Sequence, residues 1–330
     1  MEITLDESIK FLTKQHPNFP KCEIKDYIRL KKKLLNTYQP VDSNKQIRTI
    51  MKLSREYKLK DYSDRLIILV SRHTNMRGVY KFLNSRKLSD SEVYNELQKY
   101  VKKRHKKELS RYSKSPDEPC DGYMRMVQRL NYIIQQNIDP KFKIQNYLDI
   151  GCGDCIKTKL LGDLFGLKSK QVYGADIPAW SSYTQEQRKQ LPINIIDLEA
   201  NKVLPIKSNK FSLVSAYMVL HHVKNLKLML DEIHRILKPG GYLIIKEHDA
   251  LTSLDYMLAD VEHAIYEIVY GKSNHQEFEK SHYAKYYDWL EWDLIMYKHQ
   301  FKCIYSRHIY SHTSQYFQPT RGYIAIYQKK

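Results

Sequence analysis

A short apolar run that ends in an acid and two glycines constrains this chain more than any other feature. The run Tyr147–Ile150 leads into Gly151, and a second glycine follows at Gly153. Apolar residues followed at once by turn glycines are typical of a buried parallel strand that enters a tight turn. Glycine at these positions permits positive φ angles and lets a ligand approach the main chain. The pattern therefore predicts the first strand and turn of a nucleotide-binding βαβ unit.

A second acid follows this turn after about one helix. The β-like run Gln171–Ala175 ends at Asp176, which lies 23 residues after Gly153. At about this distance a βαβ unit places the carboxylate that holds ribose hydroxyls. A dinucleotide fingerprint would require a further glycine at position 156, where the chain has Ile156. We therefore predict a nucleoside-containing cofactor and disfavour NAD.

Two further blocks follow in the order of a known family. The strand-like run Phe211–Val219 leads into the letters LHHV, and a predicted helix, Leu226–Leu237, ends in LKPGG. The apolar strand Tyr242–Glu247 comes next. Together with the LDIGCG block, these motifs resemble the class I S-adenosylmethionine-dependent methyltransferases over about residues 145–250. Three blocks in the same order are far more specific than any one alone.

The resemblance implies an α/β fold with a Rossmann-like, doubly wound, mostly parallel seven-stranded sheet and an antiparallel closing strand. The alternation of strands and helices favours the same parallel architecture. Apolar residues at helical spacing over 121–137 predict a helix that precedes the first strand and packs on the sheet. The runs Phe301–His308 and Gly322–Tyr327 suit the closing hairpin of this fold.

The resemblance also implies S-adenosyl-L-methionine as the cofactor and assigns its contacts. The first strand and turn would hold the amino-acid end, and Asp176 would accept from both ribose hydroxyls. Asp197 matches the position that contacts the adenine amine, and Leu198 would line the adenine pocket. Cys155 stands where many relatives have glycine. The predicted cofactor-binding residues are Asp149, Gly151, Cys152, Gly153, Asp176, Ile177, Asp197, Leu198 and Tyr217.

Ionisable residues after the fourth and fifth predicted strands are candidates for the acceptor side of the site. The predicted catalytic residues are His221, His222, Glu247 and His248. A general base needs a tunable pKa near the acceptor, and a histidine or a buried carboxylate supplies one. The alternative is structural: the histidines would support the helix start, and Asp249 or Thr252 would cap the next helix. Downstream, His263 is interpreted as a paired structural histidine.

Missing motifs narrow the acceptor chemistry. The region Ser215–Met218 contains no acid, although ribose-methylating cap enzymes use a lysine–aspartate–lysine–glutamate set there. The Asn/Asp-Pro-Pro-Tyr/Phe block of amino methylation and the Pro-Cys nucleophile of cytosine methylation are also missing. Direct displacement onto an already nucleophilic atom remains, and positioning supplies most of its rate. A ring nitrogen such as that of a cap guanine fits, and so do many small molecules.

Charge is concentrated ahead of the cofactor blocks. Residues 1–120 contain 28 Lys and Arg against 15 Asp and Glu, whereas residues 121–330 contain 27 against 22. Residues 1–115 are predicted to form a basic helical domain that binds RNA, and residues 121–330 the methyltransferase domain. The polar, proline-containing stretch 113–119 marks the boundary. The densest basic patch is 102–107, for which a solvated helix face is the alternative.

The cysteine content and the hydropathy of the chain indicate where the protein is located and whether it binds a metal. Five cysteines in a large chain fit reduced thiols in an intracellular protein, which predicts the cytoplasm, with the nucleus as an alternative. Cys152 and Cys155 have C-x-x-C spacing but no second pair, so no metal is predicted. No apolar run reaches the length of a membrane span. The favoured function is methylation of an RNA acceptor, with a cap-related end as one candidate; a quinone-, sterol- or lipid-type methyltransferase and a non-catalytic binding protein remain alternatives.

Overall fold

A computed structural model describes residues 121–178, 190–250, 255–256, 259, 263, 282–309 and 322–330. The predicted basic helical domain, residues 1–115, and its 102–107 patch lie outside these residues. Thr252 lies outside them too. Among the helices that the structure does describe, none combines the length and the apolar character needed to cross a bilayer.

Strands and helices alternate along the described chain, with short 3-10 turns at Ser169–Gln171 and Leu220–His222. The elements in chain order are α1 (Asp121–Asn137), β1 (Tyr147–Ile150), α2 (Ile156–Leu164), β2 (Val172–Asp176), β3 (Asn194–Asp197), β4 (Phe211–Tyr217), α3 (Leu226–Ile236), β5 (Leu237–His248), α4 (Trp289–Lys298), β6 (Phe301–Ile309) and β7 (Gly322–Lys329).

The strands form one seven-stranded sheet in the order β3-β2-β1-β4-β5-β7-β6. The first five strands in this order pair in parallel, and β7 lies antiparallel between β5 and β6. This arrangement confirms the predicted Rossmann-like sheet with its antiparallel closing strand. The chain order reverses between β1 and β4, and open α/β sheets bind ligands at the carboxyl ends of the strands beside such a reversal.

Both faces of the sheet are covered by helices. Successive side chains of a strand point to opposite faces. In β4, Val214 and Ala216 therefore pack with α3 and α4, whereas Leu213 and Tyr217 pack with α1 and α2. Burial on both faces explains why β4 is apolar with few interruptions, since a strand exposed on one face would alternate with polar residues.

Two predicted boundaries are corrected. β5 begins at Leu237, so the LKPGG block is the irregular start of a strand and not a separate turn. The pairing of β4 with β5 shifts register between Phe211 and Leu213, and Gly240 has a φ of +71° within this irregular stretch. The predicted strand to Val219 ends at Tyr217 because Met218 adopts a left-handed φ of +59°.

Candidate active site

The turn after β1 is tied to β2 through its main chain. The amides of Gly151 and Cys152 donate to the carbonyl oxygen of Ala175 at 2.7 and 3.2 Å. The amide of Gly153 donates to Asp176 Oδ2 at 2.7 Å. Both glycines have positive φ, +68° at Gly151 and +57° at Gly153, as the sequence predicts. The Asp176 side chain is therefore joined directly to the glycine turn.

The two glycines serve different purposes. A Cβ at Gly151 would lie 2.1 Å from Val219 Cγ2, so this glycine is needed for packing between the turns that follow β1 and β4. A Cβ at Gly153 would meet no atom of the described residues within 4 Å. The space beside the main chain is therefore open at Gly153, whereas Val219 fills it at Gly151.

Asp149 is fully buried, and its side chain joins neighbouring elements by hydrogen bonds. Its Oδ1 accepts from the Ser215 hydroxyl and its Oδ2 from the Thr158 hydroxyl, each at 2.6 Å. Lys157 Nζ lies 3.6 Å from Oδ2. The carboxylate thus links β1, β4 and the first turn of α2. Through Lys157, this region also presents a cation beside the glycine turn.

The remaining predicted cofactor residues follow β2 and β3. The amide of Ile177 donates to Asp176 Oδ1 at 2.7 Å. Asp197 lies opposite Asp176 in the parallel pairing of β2 with β3 and is exposed. The amide of Leu198 donates to the Asp176 carbonyl oxygen, and the Leu198 side chain is buried in the core. Two carboxylates therefore end adjacent strands at the edge where the glycine turn lies.

The cysteines of the turn pack against β2. Their sulfur atoms are 3.0 Å apart, and a Cβ at Gly174 would lie 2.9 Å from Cys152 Sγ and 3.1 Å from Cys155 Sγ. Contact with Cys155 and burial raise the pKa of the Cys152 thiol. Cys155 has a φ of +59°, which glycine adopts without strain, so the chain keeps the turn while replacing the glycine of many relatives.

Tyr217 lies at the end of β4 but is almost fully buried, 7% exposed, among residues that pack with α1. Lys157 Nζ lies 4.4 Å from the centroid of its ring. Burial raises the pKa of the Tyr217 hydroxyl, so the phenol is neutral. Tyr217 therefore supports the lysine that reaches toward Asp149.

Glu247 is fully buried and holds the turn after β4. Its Oε1 accepts from the amides of Val219 and Leu220 at 3.1 and 2.7 Å. Its Oε2 lies 2.5 Å from His221 Nδ1. Burial raises the pKa of Glu247 to about 8 and lowers that of His221 well below its usual value. Burial thus favours a neutral pair, in which Glu247 and His221 share one proton.

The four predicted catalytic residues do come together, and they form one cluster with two further histidines. The ring centroids of His221, His248 and His263 lie 5.0 to 5.2 Å apart. His222 lies 4.1 Å from His221, and His282 lies 5.6 Å from His263, measured between ring centroids. We call these five side chains the histidine cluster. His263 is therefore more than an isolated paired histidine.

Main-chain carbonyl groups determine which ring nitrogens carry protons. His222 Nδ1 lies 2.8 Å from the Tyr283 oxygen, and His263 Nδ1 lies 2.7 Å from the Ala259 oxygen. Because a carbonyl oxygen only accepts, each Nδ1 donates and each neutral ring keeps its lone pair on Nε2. Burial lowers the pKa of His222 to about 4 and that of His263 well below its usual value. Both imidazoles are therefore neutral at pH 7.

Sequence reasoning missed several residues that complete the two halves of the site. Thr158 and Ser215 hold Asp149, and no local pattern marks them as its partners. Tyr286 lies in contact with three members of the histidine cluster, and its hydroxyl is 3.1 Å from His263 Nδ1. Lys157 could be predicted from the sequence as a cation in the first turn of the helix that follows the glycines.

The geometry fits a nucleoside-containing sulfonium cofactor. The open main chain at Gly153 admits a ligand, and an ionised Asp176 can accept from hydroxyl groups beside it. Asp197 adds an exposed carboxylate on the neighbouring strand. The turn after β4, held by Glu247, brings His221 and His222 to the same edge of the sheet. These features place the predicted cofactor-binding residues and the histidines at the same edge of the sheet.

Comparison with known proteins agrees with this architecture. Residues 148–245 match the family model described as "Methyltransferase domain". Together with the sheet order, the match supports a methyltransferase domain over these residues, which agrees with the predicted S-adenosylmethionine-dependent class and with S-adenosylmethionine as the cofactor that this domain implies.

Three curated proteins show similarity. An uncharacterized methyltransferase of Schizosaccharomyces pombe is 30% identical over 147 residues, which cover 42% of this chain and 48% of that protein. An uncharacterized protein of Methanocaldococcus jannaschii is 30% identical over 167 residues, or 50% and 54% of the two chains. A mitochondrial ubiquinone biosynthesis O-methyltransferase of Rattus norvegicus is 31% identical over 122 residues, or 34% and 33%. The chain spans about half the length of the first two relatives.

Proposed function

We propose that this protein transfers the methyl group of S-adenosylmethionine to an RNA acceptor, and a cap-related RNA end is the first acceptor to test. The observation that carries the proposal is the convergence of the glycine turn and the histidine cluster on the carboxyl ends of neighbouring strands β1, β4 and β5. A methyltransferase needs this pairing, because the donor and the acceptor must meet within bonding distance.

S-adenosylmethionine supplies an electrophilic methyl carbon; the carbon–sulfur bond breaks as the bond to the acceptor forms, and the electron pair remains on the sulfur of S-adenosylhomocysteine. In our proposal, the Gly153 main chain and Asp176 orient the donor. His222, which is partly exposed at the same edge of the sheet, receives the acceptor's proton where the acceptor is a hydroxyl. A ring nitrogen needs no such base, and positioning alone serves it.

The charge of the chain supports RNA as the acceptor. Residues 1–120 have 13 more basic than acidic residues, against an excess of 5 in the remainder. A basic region adjoining a methyl-transfer cleft would hold the phosphate backbone while the acceptor atom enters the cleft. The cytoplasm remains our proposal for the location of this reaction.

A small-molecule acceptor is the second candidate. The similarity to a ubiquinone biosynthesis O-methyltransferase supports it. Incubation with donor carrying a labelled methyl group, and separately with total RNA, capped transcripts or a lipid extract, distinguishes the two. Label in RNA supports the first proposal, and label in the lipid fraction replaces it with the second. Cofactor binding without transfer to any fraction would favour a non-catalytic binding protein.

A further inference from the structure

The histidine cluster contains a group of atoms that the proposed methyl transfer does not require. One ring nitrogen each from His221, His248 and His263 lie within 4.8 Å of one another. The three residues come from separate places: the turn after β4, the end of β5 and the helical position His263. His248 and His263 lie 27 and 42 residues after His221 in the sequence. Their convergence needs a physical reason, because buried imidazole rings gain little stability from contact with one another.

We propose that His221, His248 and His263 bind a divalent transition-metal ion of the Zn²⁺ type, with Glu247 orienting His221. Imidazole nitrogen is a preferred ligand of such ions. The Nε2 atoms of His221 and His263 are 3.1 Å apart. Two ligands of a tetrahedral ion at about 2.0–2.1 Å would be separated by about 3.3 Å, so this pair needs almost no movement.

The partners of the Nδ1 atoms provide an independent reason. Metal-binding histidines almost always direct their other ring nitrogen to a carboxylate or a carbonyl group. His221 Nδ1 faces the Glu247 carboxyl group, and His263 Nδ1 donates to the Ala259 oxygen. Both rings thus present Nε2 to a common point from supported positions. A pair of histidines placed only for packing would have no need for this matched orientation.

Three protein ligands leave a fourth tetrahedral position for water or substrate, as in catalytic zinc sites. His221 and His248 are buried, whereas His222 and His263 are partly exposed, so the cluster opens on one side. An ion there would lower the pKa of a coordinated hydroxyl group. This role in methyl transfer rests on the proposed function, but binding of the ion does not.

The test uses the full chain without a polyhistidine tag, stripped with a chelator and titrated with Co²⁺ and then Zn²⁺. We expect one Co²⁺ per chain, visible absorption of a tetrahedral site, and displacement of Co²⁺ by Zn²⁺. His263→Gln should weaken binding by at least about 100-fold, and Glu247→Gln by about 10- to 100-fold. The matched control is His234→Gln, because His234 lies on α3 against Phe301 and should leave the titration unchanged.

Circular dichroism shows whether each variant folds. If a variant does not fold, the titration of the wild type still tests the proposal. The proposal is overturned if the wild type binds no Co²⁺ at about 100 µM, a concentration at which even a weak three-histidine site would be occupied. It is also overturned if folded His263→Gln binds Co²⁺ with wild-type affinity. Titration with S-adenosylmethionine is run in parallel. Cofactor binding without metal binding refutes only the metal site, and metal binding without cofactor binding refutes only the proposed function.

Discussion

Alanine at Gly151 should mainly lower stability, whereas alanine at Gly153 should mainly weaken cofactor binding. Both substitutions place a side chain at positive φ, which costs about 1–2 kcal/mol for a residue other than glycine. At Gly151 the new Cβ would also lie 2.1 Å from Val219 Cγ2 and 3.0 Å from Val219 Cβ. Valine cannot rotate both contacts away, and overpacking of this kind costs about 1–3 kcal/mol. Gly151→Ala should therefore lower the free energy of unfolding by about 2–5 kcal/mol.

At Gly153 the added Cβ meets no described atom within 4 Å, so only the backbone strain of about 1–2 kcal/mol should remain. The methyl group would instead occupy the space where the cofactor approaches the main chain. We expect Gly153→Ala to weaken binding of S-adenosylmethionine by about tenfold or more, which corresponds to about 1.4 kcal/mol.

Urea unfolding measures the stabilities, and calorimetry with S-adenosylmethionine measures the affinities. A second change, Val219→Ala, should restore part of the stability lost in Gly151→Ala, because it removes both Cγ atoms that the new Cβ would meet. The same change should not restore cofactor binding to Gly153→Ala. Equal destabilisation by the two glycine substitutions, or no rescue by Val219→Ala, would refute this reading of the turn.

Three further predictions concern single charged groups and the basic patch. Asp176→Asn should weaken cofactor binding by about 1–3 kcal/mol in calorimetry, because the ribose hydroxyls lose a charge-assisted acceptor; unchanged affinity would contradict the assignment. Hydrogen bonding to Arg235 lowers the pKa of Glu232 in the folded state, so its contribution to stability is present at pH 7 and is lost as the pH falls below about 4.3. In Glu232→Gln, the free energy of unfolding in urea should therefore fall less between pH 7 and pH 3 than in the wild type. An unaltered pH dependence would contradict this role of Glu232. Replacing the five basic residues of the 102–107 patch by glutamine should weaken RNA binding and flatten its salt dependence, and an unchanged salt slope would make the patch a bystander.

The part of the fold that could be predicted is the part that local sequence signals encode. Apolar runs mark β1, β4 and β5, and glycines mark the turn after β1, because each signal lies within a few residues of the structure it specifies. The start of β5 was not predictable in this way. A proline and two glycines usually end a regular element, but here the neighbouring β4 accommodates them by a register shift after Phe211.

The site was predictable as a set of residues but not as a set of contacts. Asp149 was recognised from its place before the glycines, yet its partner Ser215 lies 66 residues away. Glu247 was recognised as ionisable, but its contacts with the turn after β4 span 26 to 28 residues. His263 contacts His221 across 42 residues. Such contacts arise from the order of strands in the sheet, and no periodicity in the sequence encodes them.

The two buried acids beside the cleft share a role that their chemistry alone would not suggest. Asp149 fastens β4 through Ser215, among the residues that pack with α1 and α2. Glu247 fastens the turn that follows β4 through two amides and His221. Both oxygens of each carboxyl group are hydrogen-bonded to other groups of the protein, so neither carboxyl group is left to act directly on a substrate. They hold in place Lys157 on one side and the histidine cluster on the other.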